Sequence, residues 1–134
     1  MKILLATVAV LVAAVPLVAH HGAATFDTDK ELTLKGTVTE WIWANPHCFL
    51  KFDTKDDTGT VRNWVVETQN PTGMSTRGWR RTSFKAGDPV TVWLQPVKNG
   101  ASVGRIVKVL LPSGDTLIAI GPQPDAAPPR QPER

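Results

Sequence analysis

Three histidines and one cysteine carry most of the ligand chemistry available to this 134-residue chain. His20 and His21 are adjacent near the start, His47 follows Asn45-Pro46, and Cys48 comes next. A histidine at a newly exposed N-terminus offers its α-amine and its imidazole to a single Cu(II) ion. A further imidazole then completes a mostly nitrogen, tetragonal ligand set. Cleavage after Ala19 makes His20 that residue, with His21 or His47 as the further donor. Both kinds of nitrogen give up their protons near neutral pH at modest cost, and the Irving–Williams order favours copper over zinc. The plainer alternative is a polar terminus in which two adjacent histidines hold nothing. His47, straight after a proline corner, is held rigidly. That suits a ligand, and it suits equally a ring nitrogen bonded to a backbone carbonyl across the turn. The metal set read from the residues is His20, His21 and His47, with copper as the cofactor.

A second group is aromatic. Trp41 and Trp43, with Phe49, Trp64 and Trp93 behind them, could stack on flat ligands, and Asn45 and Glu67 supply polar contacts nearby. Sugar faces or small aromatic ligands fit such a surface. The competing reading buries these rings as a second small core. Cys48 shares strand parity with Leu50 and Phe52, so it reads as a small buried apolar residue before it reads as a reactive thiol. No paired carboxylates, Ser-His-Asp or Cys-His arrangement, or phosphate loop stands out, so the residues lean away from an enzyme.

The elements that position these residues are strands. Glu31 to Trp43 alternates, with Leu32, Leu34, Val38 and Ile42 on one face and Trp41 and Trp43 among the residues on the other. Two tryptophans on the nominally outer face call for a parity-flipping bulge or a functional surface. Gly36 on the inner face permits a bend or bulge. A second strand runs His47 to Thr54 and turns at Asp56-Asp57-Thr58-Gly59, and a third runs Val61 to Thr68. Asn70 to Trp79 breaks the rhythm. A short helix near Thr72 to Thr76 is expected there, with Pro71 early and Gly78 ending it. Strand four is Pro89 to Val97. Asn99-Gly100 is the best hairpin signal in the chain. Strand five is Val103 to Leu111 and a short strand covers Thr116 to Ile120. Three meander strands, one short helix between strands three and four, then a hairpin, is the element order of an OB-fold. The expected class is all-β, a small five- to six-stranded OB-like barrel, with a generic β-sandwich as the competitor.

Residues 1–19 read as a signal peptide: Lys2, an apolar run broken by Pro16, and small residues ending at Ala19. The barrel domain is expected over residues 20–120. Residues 121–134 form a Pro-rich tail too poor in apolar residues to fold. The expected location is periplasmic or secreted, with no stable membrane span after cleavage. A lone cysteine leaves no intramolecular disulfide, so packing alone must hold the domain. The formal charge of +3 is small, which gives no argument for nucleic acid as a partner.

Several segments together resemble a known family. They are His20-His21, Phe26, Leu34-Lys35-Gly36-Thr37-Val38-Thr39-Glu40, Trp43-Ala44-Asn45-Pro46-His47, Trp64, Glu67, Gly78-Trp79, Gly87-Asp88-Pro89-Val90 and Lys98-Asn99-Gly100. The chain is similar to an uncharacterised family of exported bacterial, mainly proteobacterial, proteins with an OB-like domain of unknown function. The likeness runs from about His20 to Leu117 and is most specific at Trp-x-Asn-Pro-His. It departs after the histidine pair, where Gly22-Ala23-Ala24-Thr25 precede Phe26 in place of the family's His-His-Ser-Phe. The resemblance implies fold and export and brings no activity. The expectation is therefore an exported, non-catalytic binding module that holds copper through its N-terminal histidine. The alternatives are aromatic-surface binding of a glycan or small ligand, and a structural partnership with an envelope protein.

Overall fold

The structure is a computed structural model that describes residues 26–123. The expected signal segment, His20, His21 and most of the expected Pro-rich tail lie outside the described residues. Six strands and one short helix follow the expected order. They are β1 (Leu32–Ile42), β2 (Phe49–Lys55), β3 (Val61–Glu67), α1 (Pro71–Ser75), β4 (Pro89–Pro96), β5 (Val103–Leu110) and β6 (Thr116–Ile118). Sheet neighbours run β3-β2-β1-β4-β5-β6, and a parallel β3–β5 pairing closes the first five into a barrel. The helix joins β3 to β4, as the OB arrangement requires. Closure leaves none of these five strands with a free edge along its whole length, which matters in a small domain stabilised only by packing.

Alternation decides what faces inward. Leu50, Phe52, Val66, Val92, Leu94, Ile106 and Val109 are fully buried, with Cys48 among them. Two glycines let the walls close. A Cβ on Gly36 would run into the carbonyl oxygen of Asp53, and one on Gly104 would meet Gln95 O and Leu94 Cδ1, each at 2.7 Å. Both positions are close backbone approaches that admit no side chain.

The strict alternation expected along β1 does not hold. The register steps from Val38↔Phe52 to Glu40↔Lys51, so Thr39 is the extra residue of a β-bulge. One extra residue exchanges the two faces. Trp41 now lies opposite the buried Leu50, while Ile42 lies opposite Phe49 on the outer side. Trp41 and Trp43 therefore leave the outer face and pack against the core. A second register step, between Trp93 and Leu94, displaces Val107, whose carbonyl accepts both Ala119 N at 2.8 Å and Ile120 N at 3.1 Å.

The helix and the loop after it close one end of the barrel. Asn70 caps the helix, its side-chain oxygen accepting from Gly73 N at 2.8 Å, and Pro71 opens it. Proline needs no donor partner in the first turn. Gly78, at φ 83°, turns the chain so that Trp79 N can donate to Met74 O at 3.1 Å. This delivers Met74, Trp79 and Phe84 into the core. Trp79 donates its indole N–H to Ile118 O at 3.1 Å, and Trp41 donates to Arg80 O at 3.1 Å. Ring centroids separate by 5.9 Å for Trp41–Trp79, 5.0 Å for Trp41–Phe84 and 5.7 Å for Trp79–Phe84. Tilted and edge-on pairs at such distances add about 0.5–1.5 kcal/mol each beyond area burial.

Candidate functional site

His47 sits at the start of the segment leading into β2. The β2–β3 ladder extends past its named ends: Thr68 N donates to Cys48 O at 2.9 Å, and Cys48 N donates to Gln69 O at 3.1 Å. These two bonds hold His47 alongside Thr68. The imidazole Nδ1 lies 2.9 Å from Thr68 O. A carbonyl oxygen can only accept, so Nδ1 carries the proton and Nε2 of the neutral ring presents a bare lone pair. His47 is partly exposed, and among the described residues its Nε2 makes no hydrogen bond. Phe49 flanks the imidazole edge-on at 6.4 Å between centroids. A backbone carbonyl behind one nitrogen and an open lone pair on the other is the usual posture of a metal-ligating histidine.

Cys48 is adjacent in sequence but belongs to the other face. It is fully buried, with Sγ 4.0 Å from Ala44 O. Burial pushes its thiol up from the ordinary value, and the contacts to Ala44 and Thr68 offset this only in part. A neutral thiol turned into the core is neither nucleophile nor ligand partner for His47.

The outer wall beyond His47 is a continuous row. Phe49 pairs with Glu67, Glu67 with Arg105, and Arg105 with Gln95, one outward residue from each of four strands. Arg105 donates to Gln95 Oε1 through Nη2 at 2.6 Å and Nε at 3.2 Å. Its guanidinium also lies over the Phe26 ring, 5.4 Å from the centroid, within cation–π range. Phe26 bridges to Val97, and Asp27 N donates to Pro96 O at 2.8 Å. The chain thus enters the barrel against the row whose far end is His47. Sequence reading missed Arg105, Gln95 and this role of Phe26. The available signal was an arginine and a glutamine each set between buried neighbours in β5 and β4.

The other residues read as candidates are dispersed. Asn45 is exposed in the β1–β2 connection, and Glu67 stands half-buried on the outer wall. Trp41 and Trp43 belong to the closed end with Trp79 and Phe84. Trp64 faces inward, opposite Phe52, and is 6% exposed. The structure brings His47, Phe49 and Glu67 onto one wall and separates them from the three tryptophans. His20 and His21 lie outside the described residues, and among the described residues no three His, Cys, Asp or Glu side chains cluster.

A family model described as a family of unknown function (DUF6152) matches residues 8–106, well over half of the chain. No curated protein and no solved structure matches.

Proposed function

The chain belongs to the DUF6152 family of unknown function, and we propose that it is an exported, non-catalytic module that binds Cu(II) through His47 together with His20 and His21. The observation that carries this reading is the bond between His47 Nδ1 and Thr68 O, which leaves Nε2 open. Such a carbonyl raises the basicity of the opposite nitrogen and fixes the ring plane. Cleavage after Ala19 supplies the remaining donors, the His20 amine and imidazole, in the nitrogen-rich set that copper prefers.

Reach supports the same reading. His20 precedes Phe26 by six residues, an extended span of about 20 Å. From Arg105, which covers Phe26, to Phe49 beside His47 is two strand spacings, roughly 10 Å. The test is a Cu(II) titration of the exported protein after its N-terminus has been sequenced. A mature chain beginning at His20 should bind one copper, and His20→Ala and His47→Ala should each weaken it by about tenfold or more. A mature N-terminus at another residue, or full affinity in either variant, ends the proposal.

A further inference from the structure

We propose that the open cleft where the β2–β3 hairpin overhangs β1 binds a small organic anion with an apolar body. β1 pairs with β2 only from Ile42↔Phe49 to Thr37↔Asp53, whereas the hairpin continues to Lys55↔Val61. The first half of β1 is held instead by β4, from Leu32↔Leu94 to Thr37↔Pro89. The tip of the hairpin therefore leans over Leu34 with no strand between, and a cleft of about 370 Å³ opens there. That volume lies within the range of small-molecule sites. It is at the Lys55 end of β2, whereas His47 is at the Phe49 end, so it is separate from the copper site proposed above.

The chemistry of the cleft changes along the hairpin. Inside the barrel the inward positions are Phe52 and Trp64; one alternation further out they become Thr54 and Arg62. Leu34 and Trp64 remain as an apolar floor beside Arg62, and Lys35 and Lys55, of the opposite strand parity, contribute to the rim of the cleft. Among the described residues the ion pair present joins Lys51 to Glu40, so none of these three cations is paired there. The one acid in the lining, Asp56, turns Oδ1 into the hairpin turn, accepting Thr58 N and Thr60 N at 2.9 Å each and Thr58 Oγ1 at 2.6 Å. A guanidinium fork beside an apolar floor, with two lysines from the opposite strand faces at its edges, matches a carboxylate or a phosphate monoester carried on a ring or short chain. Hydrogen bonds from Thr58 and Thr60, and behind them the charge of Arg62, hold the Asp56 carboxyl below its ordinary value. Asp56 thus offsets part of the positive charge, and an anionic ligand offsets more of it than a neutral one of the same shape.

The experiment is an NMR titration of the ¹⁵N-labelled full chain with 4-phenylbutyrate, phenyl phosphate and the neutral 4-phenylbutanamide. The probes to follow are the Trp64 indole and the Lys55 and Arg62 amides. Saturable shifts at these positions are expected with an acidic probe at a dissociation constant below about 1 mM, with the amide at least tenfold weaker. Tighter binding of phenyl phosphate than phenylbutyrate assigns a phosphate monoester, and the reverse order assigns a carboxylate. Arg62→Gln, at an exposed position, should keep the fold and weaken the better acid by about fivefold or more. Lys51→Gln, on the outer wall, should change nothing. No saturable shift with either acid, equal binding of the amide, or an unchanged constant in Arg62→Gln overturns the proposal.

Discussion

His47 Nδ1 lies 2.9 Å from the carbonyl oxygen of Thr68, twenty-one residues away in sequence. That bond decides which imidazole nitrogen faces outward, and it depends on the β2–β3 ladder continuing past its named ends. A single register step between Cys48 and Gln69 would remove the carbonyl and release the ring. The orientation of the candidate ligand is therefore a property of the β2–β3 ladder, not of the Asn45-Pro46 corner alone.

The other neighbour of β2 is β1, and the close approach of these two strands depends on Gly36. With Asp53 O and the Phe52 ring filling the space that a Cβ would need, Gly36→Ala forces β1 and β2 apart. The expected loss is about 1–3 kcal/mol, the range for overpacking a close-fitted site. Urea unfolding followed by tryptophan fluorescence checks this; an unchanged midpoint would show that the two strands can separate freely.

Trp79 and Trp41 should respond differently to the same change. Trp79 is fully buried and its indole bonds Ile118 O, whereas Trp41 is partly exposed and bonds Arg80 O. Trp79→Phe is expected to lose about 2–3 kcal/mol through the cavity and the lost bond. Trp41→Phe should lose less than half as much. Equal losses in urea melts would contradict the arrangement of the closed end.

The Asn70 cap gives a third check. Asn70→Ala removes the acceptor for Gly73 N, at an expected cost of about 1 kcal/mol, and Asn70→Asp should restore most of it. The readout is again the urea midpoint. A neutral result for Asn70→Ala would mean that tertiary packing alone holds the helix.

Cys48 predicts a pH dependence. Its folded thiol is raised above the ordinary value by burial, so the folded state keeps a proton that the unfolded state gives up. The stabilisation is complete below the unfolded thiol value of about 8.5 and is lost as pH rises from there through the folded value. Cys48→Ala should flatten stability against pH above about 8.5. Alkylation of the native protein at pH 7 should proceed only as fast as unfolding; rapid labelling would contradict the burial.

Much of this architecture is readable from residue order. Period-two alternation, Asn99-Gly100 and the Pro71–Gly78 break bring every strand and the helix within a few residues of their observed places. The bulge at Thr39 is not legible in the sequence, because an extra residue in a strand pairing leaves no side-chain signature, and Gly36 is the more bulge-like residue by type. That displacement is why Trp41 and Trp43 read as outward. His47 was legible from the proline corner, but its partner is a backbone carbonyl on another strand, and carbonyls carry no residue identity. The overhanging cleft was hidden for a similar reason: it arises from unequal strand ends, with Lys35 and Arg62 far apart in sequence.

The most direct test of the copper reading is pulsed EPR of the Cu(II)-loaded mature protein, comparing the parent with His47→Ala. An imidazole bound through Nε2 carries a remote protonated Nδ1, here the atom bonded to Thr68 O, and that nitrogen modulates the electron spin echo. The account expects the modulation from His47 in the parent, its loss in His47→Ala, and weaker copper binding in the variant. Identical echo modulation and identical affinity in the two proteins would contradict it.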